Sequence, residues 1–516
     1  MSHNVMLSPQ SSAVFNPAWL DELGVRITRL VTDSRQIQPG DTFVAYPGGQ
    51  ADGRHFIAQA IARGANAVIW EAKGFAWDES WTVPHLPVTD LRHQAGALAD
   101  HVYGSPSYQL WMVGVTGTNG KTTCSHWIRS ALTALGRNSA LLGTLGNGFL
   151  GDLQPSLNTT PEAISVHGLL AEYLRQGAKA AVMEVSSHAL SQGRVNNVHY
   201  DVALLTNLSR DHLDYHGDMH SYAQSKRRLF GWENLKYAVL NLDDPFGAEL
   251  AEMLRDAPVE VIGYGMTPDA LALAERQGLR MVFGADLHMD AQGMSLRIQS
   301  SWGQHDIHSK LIGRFNASNL LGSLAVLLVS GQPLQAAADE LAQQRPVAGR
   351  LQTLGGKDKP TVVVDYAHTP DALEKVLQTL REITAPAQGR IICVFGCGGD
   401  RDRGKRPMMG AVASSHADSC IVTSDNPRSE SPRAIIDAIL FGVQGDNCQV
   451  IEDRAQAIAR AIASAHATDT VLIAGKGHED YQEINGVKHP FSDSEVARRA
   501  LSIWTPVNAR SEWSTT

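Results

Sequence analysis

Cysteine is scarce: five in 516 residues, scattered and without a Cys-x-x-Cys pair. That excludes a disulfide-stapled scaffold, a zinc ribbon and a dithiol redox motif. Cys124, Cys393, Cys397, Cys420 and Cys448 are expected to be buried or idle thiols in a reducing compartment. Positive charge is not in excess either, since 44 Lys and Arg against 53 Asp and Glu leave a formal net charge of -9. The basic footprint of a protein that wraps nucleic acid is therefore missing. No apolar run reaches the roughly 18 residues of a membrane span, and Met1-Ser-His-Asn-Val-Met6 has no basic segment leading into an apolar one. The expectation is a cytoplasmic monomer whose partners are small molecules.

What is present is enough apolar sequence, 43% of residues, for several cores. The fold class expected is α/β in three domains: a small N-terminal α/β domain over 1–107, a central domain over 108–346 with a mostly parallel sheet, and a Rossmann-like C-terminal domain over 347–516. The first carries short apolar runs at 41–45 and 67–70. The second opens with the strand-length run 110–115, a glycine turn and a helix-compatible run from Cys124 to Leu135, then strand candidates at 180–183, 202–205 and 237–240. The third repeats the theme at 361–364, 391–395, 419–422 and 471–474. In open parallel sheets ligands gather beyond the carboxyl ends of strands, so these four segments point at a substrate site.

Strand, glycine turn and helix together form a phosphate-binding arrangement. In Thr116-Gly117-Thr118-Asn119-Gly120-Lys121-Thr122-Thr123, the glycines allow close backbone approach, so N–H groups and the helix N-terminus can surround a polyphosphate. Lys121 is placed to neutralise β and γ oxygens, and Thr122 to offer a hydroxyl to Mg²⁺. The strict G-x-x-x-x-G-K-[ST] spacing would need Gly at Val115, which Gly114 and Gly117 flank instead. A second segment, Gly399-Asp-Arg-Asp-Arg-Gly-Lys-Arg406, keeps the strict spacing but puts Arg406 where the hydroxyl belongs. It reads as an anion clamp for something other than ATP.

Glu184, just beyond the run 180–183, suits a Mg²⁺ ligand, although without the phosphate loop a surface carboxylate would look the same. His212 lies between carboxylates in Asp211-His-Leu-Asp214, a pattern that a solvated loop also produces. Lys226 shares a helical face with Tyr222, Leu229 and Phe230. From spacing alone the simpler reading is an ammonium snorkelling to the edge of that face. The alternative is a desolvated amine of lowered pKa that adds to CO₂ and serves as a carbamate ligand.

The motifs 116–123, Glu184-Val-Ser-Ser187, Asp211–Asp214, Gly313-Arg-Phe-Asn-Ala-Ser-Asn319 and Asp365-Tyr-Ala-His-Thr-Pro370, in this order, resemble those of the Mur ligases of peptidoglycan precursor synthesis. The resemblance runs over essentially the whole chain. It implies ATP and Mg²⁺ as cofactors, with Gly117, Thr118, Asn119, Gly120, Lys121, Thr122, Thr123, Asn316, Asn319, Arg350 and Asp365 at the nucleotide. It implies a uridine site at Thr32, Ser34, Gly49, Gln50 and Ala51, with Thr32 standing where the family pattern has Leu. Asn158, Thr159, Thr160, Ser186, Gln192 and Arg194 would hold a muramoyl dipeptide. Thr122, Glu184, His212 and a carboxylated Lys226 would lie near the metal, and Lys121, Lys226 and His212 would be the catalytic groups.

Within the family, Asp425-Asn426-Pro427-Arg428 matches the diaminopimelate-recognition motif, joined by Arg401, Gly475 and Glu479. The implied reaction adds meso-diaminopimelate to the D-glutamate γ-carboxylate of UDP-N-acetylmuramoyl-L-alanyl-D-glutamate through an acyl phosphate, with His212 and His368 as candidates for taking the amine proton. A planar guanidinium such as Arg428 or Arg401 suits the extra carboxylate that separates diaminopimelate from lysine. The rivals are a lysine-adding Mur ligase, a folylpolyglutamate-synthetase-type ligase, an ATP-gated binding module and a simple kinase. Thr32-Asp-Ser-Arg35 and Gly48-Gly-Gln-Ala-Asp-Gly53, which resemble the UDP-binding part of the Mur family, argue against the folate type.

Overall fold

The computed structural model describes residues 15–21, 23–48, 51–156, 158–290, 293–385 and 388–506. Three separate α/β sheets follow one another along the chain. The first is a four-stranded parallel sheet, Leu30–Val31, Thr42–Ala45, Ala67–Glu71 and His85–Val88 in that order. Its helix Leu91–Val102 packs on the helix Ala163–Arg175 of the next unit.

The central sheet has eleven strands. Trp111–Thr116 sits in its middle, flanked by Val202–Leu205 and Ala180–Glu184, with parallel register on both sides. These strands are buried on both faces, which is why they read as unbroken apolar runs rather than alternating ones. The sequence reading found no strands for the antiparallel arm Arg280–Asp290, Gly293–Ser300 and Gly303–Ser309. Much of its first strand alternates between half-buried and exposed residues, so it carries no continuous apolar signal. The helix Arg314–Val329 is buried on nearly every side and lies against the helix Lys121–Ala134 that follows the glycine turn.

The third sheet has the order Gln352–Gly355, Thr361–Asp365, Thr470–Ala474, Ile391–Phe395, Ser419–Val422 and Cys448–Val450, parallel except for the first. The chain leaves it through a small antiparallel hairpin, Tyr481–Ile484 with Val487–Pro490. Asn485 and Gly486, with φ of 50° and 77°, form the two-residue turn that such a hairpin favours. Among the described residues no helix is long and apolar enough to cross a membrane.

One expectation about cysteine is corrected. Cys420 and Cys448 are direct cross-strand partners, with Cα atoms 4.5 Å apart, and the structure joins them in a disulfide. Only strand register brings together residues 28 positions apart. Cys124, Cys393 and Cys397 are free and buried as expected.

Candidate active site

The phosphate loop leaves the central strand at Thr116 and enters the helix at Lys121. Gly117 has a φ of 145°, and a Cβ there would collide with the Thr206 hydroxyl, so the turn needs glycine. The loop is held from the neighbouring strand end: Asn207 Oδ1 accepts from Asn119 N–H at 3.0 Å, and Thr118 N–H donates to Asn207 O at 2.9 Å. Beside it lies a cavity of about 530 Å³, within the range of small-molecule sites. Asn119, Gly120, Thr123, Asn316, Asn319, Arg350 and Asp365 all line it. Gly117, Thr118, Lys121 and Thr122 do not. The Arg350 guanidinium lies 4.4 Å from the centre of the Tyr366 ring, and Asp365 accepts from the N–H groups of Leu351 and Ala367.

Two lysines meet under the loop. Lys121 Nζ donates to Gly117 O at 2.8 Å and Thr118 O at 2.9 Å, and Lys226 Nζ donates to the same Gly117 O at 2.9 Å. Lys226 is 1% exposed, as is Tyr222, whose ring centre lies 4.6 Å from the ammonium. The snorkelling reading therefore fails: the amine points inward. Burial first, and then the Lys121 charge, push the Lys226 pKa well below its ordinary value, against the pull of Asp211. Burial also lowers that of Lys121, opposed by Glu184 and Asp211.

Asp211, 4% exposed, faces His212 Nε2 at 3.3 Å, His368 Nε2 at 3.5 Å and Lys405 Nζ at 3.8 Å. Burial works against its charge, but His368, His212 and Lys405 together hold the carboxyl well below the usual range. His212 is itself pushed down to about 2, by burial first and by His188, Lys121 and Lys226. Of the three groups around Asp211, His368 and Lys405 are the ones remote from it in sequence. Both belong to the C-terminal part of the chain, as does Asp402, which takes two hydrogen bonds from Arg210. These contacts hold the third sheet against the loop.

On the opposite side of the loop, fully buried Glu184 accepts from Thr122 Oγ1 at 2.9 Å, Thr144 N–H at 2.9 Å and Thr144 Oγ1 at 3.1 Å. Among the described residues neither His212 nor Lys226 hydrogen-bonds this carboxylate, so the four residues expected at the metal fall into two groups. Thr159 and Thr160 lie beside Glu184, Thr159 through Thr144 and Thr160 through the Glu184 carbonyl at 2.7 Å. Ser186 Oγ is 3.3 Å from Thr160 Oγ1, and Arg194 bonds both Gln192 Oε1 and Thr160 O. The structure thus gathers Thr159, Thr160, Ser186, Gln192 and Arg194. Asn158 is exposed and engaged only through its carbonyl with Ser156. In the first sheet Thr32 is half-buried, Ser34 donates to Gln59 at 2.7 Å and Ala51 is exposed; Gly49 and Gln50 lie outside the described residues.

The third sheet brings its carboxyl ends together. Asn426 Nδ2 donates to Glu479 Oε2 at 2.7 Å, and the Lys476 ammonium, with no exposure, bridges Asn426 Oδ1 and Glu479 Oε2 at 3.0 Å each. Burial raises the Asp425 pKa, but Arg454 and Lys476 outweigh it and keep the carboxyl below its ordinary value. Gly475, with a φ of 117°, lets Asp425 approach, since a Cβ there would lie 2.6 Å from its Oδ2. Arg428 Nη1 donates to Gly399 O at 2.7 Å, and its Nε lies 3.4 Å from Glu483. Pro427 joins Asn426 to Arg428 on the same turn. Arg401 is exposed and reaches the Asp400 carbonyl.

The density of positive charge at 401–406 is mostly internally neutralised: Arg403 and Arg406 pair with Glu430, and Lys405 faces Asp211. The sequence singled out neither Lys476, which lies between the named Gly475 and Glu479, nor Asp211, which opens the motif 211–214. A lysine between two glycines directly after an apolar strand was the available signal for Lys476. Thr144 and Glu483 had none, because their roles depend on segments far away in sequence.

A glycine-turn loop at the end of a parallel sheet, beside a cavity shared with a second Rossmann-like sheet, is the architecture of a nucleotide-binding enzyme. The chain belongs to the Mur ligase family: residues 26–103 match the Mur ligase family catalytic domain, 115–327 the Mur ligase middle domain and 349–477 the Mur ligase glutamate ligase domain. It is 52% identical to the UDP-N-acetylmuramoyl-L-alanyl-D-glutamate–2,6-diaminopimelate ligase of Chromobacterium violaceum, over 95% of this chain and 97% of that one. It is 49% identical to the protein of the same name from Nitrosomonas europaea, over 93% and 94%. A solved structure of a ligase of that name is 38% identical, covers 92% of this chain and 95% of its own, and superposes with a TM-score of 0.64.

Proposed function

We infer that this chain is the ligase that uses ATP to join meso-diaminopimelate to the γ-carboxylate of the D-glutamate in UDP-N-acetylmuramoyl-L-alanyl-D-glutamate. The observation that carries this reading is near-full-length identity to relatives of that name, in a chain whose third sheet offers Arg428 and Glu479 at one edge. A guanidinium for a distal carboxylate and a carboxylate for an ammonium match the charged end that distinguishes diaminopimelate from lysine. We assign the three domains to 1–107 for the UDP moiety, 108–346 for ATP and 347–516 for the amino acid. The work would be done by a monomer in the cytoplasm, where ATP and UDP-linked precursors reside.

In the reaction, a γ-carboxylate oxygen attacks the ATP γ-phosphorus, the bond to the bridging oxygen breaks, and ADP leaves an acyl phosphate. The diaminopimelate amine then adds to the acyl carbon and phosphate departs. Two anions must first approach each other, and Lys121 and the loop N–H groups offset their repulsion. Oxygen donors suit Mg²⁺, and the Thr122 hydroxyl against the buried Glu184 carboxylate is such a set. These two residues would hold the ion, which when bound supplies charge neutralisation to the phosphoryl oxygens. Lys226, an inward amine of lowered pKa, is suited to addition to CO₂, which would turn a repelling ammonium into an attracting carbamate. Neutral His212 is a weak base, and its place between Asp211 and the lysines suits positioning. The contacts of Arg210 and Asp211 with the third sheet would keep water from the acyl phosphate.

Phosphate release with ATP, Mg²⁺ and the UDP-linked dipeptide is the test, with meso-diaminopimelate and L-lysine offered separately. Turnover favouring diaminopimelate by at least about 100-fold is expected, because lysine leaves a guanidinium unpaired. A preference for lysine would overturn the specificity assignment, and an absence of turnover with both would overturn the reaction.

A further inference from the structure

Arg428 is one of the few residues other than glycine with a positive φ, 51°, a backbone state that costs free energy for a residue with a Cβ unless its surroundings hold it. The C-terminal hairpin does so. Arg428 N–H donates to Glu483 O at 3.0 Å, and Asn485 N–H donates to Arg428 O at 2.7 Å, forming an isolated parallel bridge with Ile484. The same hairpin takes hold of the two residues that start the motif: Gln482 Nε2 donates to Asp425 O at 2.7 Å, and Glu483 N–H to Asn426 Oδ1 at 2.9 Å. The Arg428 side chain is fixed at both ends of its guanidinium, Nη1 on Gly399 O and Nε beside Glu483. Among the described residues Nη2 forms no hydrogen bond.

The hairpin has little else to do. Its second strand, Val487–Pro490, is exposed along its whole length, and a two-stranded hairpin has marginal stability of its own. It is held in place by docking against residues 424–428 and by the Lys476 ammonium, 5.4 Å from the centre of the Tyr481 ring. Its turn residue Asn485 is at once the left-handed corner of the hairpin and the donor to Arg428.

We propose that the hairpin Tyr481–Pro490 is a specificity element of the amino-acid site, with Asn485 and Glu483 as positioning residues that hold Arg428 for the distal carboxylate of the amino-acid substrate. This rests on the reading of the function given above. It assigns discrimination between a substrate with that carboxylate and one without it to a segment beyond the motif that contacts it.

The test uses the full chain and compares Asn485→Val, Asn485→Gly and Glu483→Gln. Valine resists a φ of 50° and unseats the turn, whereas glycine accepts it and keeps the N–H. Asn485→Val is expected to raise the KM for meso-diaminopimelate about tenfold, the scale of one misplaced charged hydrogen bond. Its kcat at saturation and its KM for ATP should stay within about twofold, and Asn485→Gly should restore the KM. Glu483→Gln, which keeps the backbone anchors, should raise it about threefold by the same reasoning. An unchanged diaminopimelate KM in Asn485→Val, or an equal loss for ATP, would overturn the proposal. Absence of turnover by the unaltered chain would overturn the functional reading first, and is seen before any variant is made.

Discussion

The phosphate loop and the amino-acid site are built on opposite plans. The first is one contiguous stretch of eight residues, set between a strand and a helix by two glycines and braced by Thr206 and Asn207 of the neighbouring strand end. The second is drawn from segments around 398–401, 425–428 and 475–485, none of which makes a site alone. A local device concentrates its function in single residues. A network spreads it, so the same kind of damage should have a different profile in the two places.

The largest effect is expected at the loop. Lys121→Met should lower ADP formation by about 10³-fold or more, because a charge aimed at the transferring phosphoryl group has no substitute there. Single-turnover measurement at saturating substrates checks this, and a loss confined to KM would erase the distinction drawn here. Lys226→Ala comes next, with a loss of about 10²-fold or more and partial recovery on adding formate or acetate if a carbamate normally stands in that space. Failure of every small carboxylate to restore activity would leave Lys226 as a structural support of Gly117.

On the network side, Arg428→Ala should raise the diaminopimelate KM by about 10- to 100-fold with nucleotide binding intact. Titration of ATP binding by calorimetry, beside steady-state kinetics, separates the two. A loss of ATP affinity would show that the sites are coupled.

The smallest effect is on stability in acid. His126, His188 and His478 are pushed down to about 3, 4 and 4, in each case by burial first. Their folded values lie below the unfolded value of about 6.5, so below pH 6.5 the unfolded chain takes up protons that the folded chain refuses. Stability should therefore fall as pH drops from 6.5 toward 4 and change little between 7 and 8 on their account. Thermal melts across that range check the sign, and His188→Gln should flatten part of the slope.

The contrast also explains what could be read before the fold was known. Four parallel strands in each of the central and C-terminal sheets stood out because burial on both faces demands unbroken apolar runs, and the run 202–205 coincides with its strand; the parallel strands Ser139–Gly143, Glu260–Gly265 and Cys448–Val450 did not. The inward direction of Lys226 was half legible: spacing placed it with Tyr222, Leu229 and Phe230, but only burial showed that the ammonium does not escape to solvent. The antiparallel arm was missed because half-buried alternating strands look like polar sequence.

By itself the sequence determined where the phosphate loop lies, which doubly buried strands read as apolar runs and where the motif at 425–428 stands, since each is a signal within one short segment. Tertiary structure alone decided that Asp211 meets His368 and Lys405, that Cys420 lies beside Cys448 and that the hairpin at 481–490 clamps Arg428. Those pairings are set by strand register and by the packing of one sheet on another, and neither is encoded in the spacing of residues along a single segment.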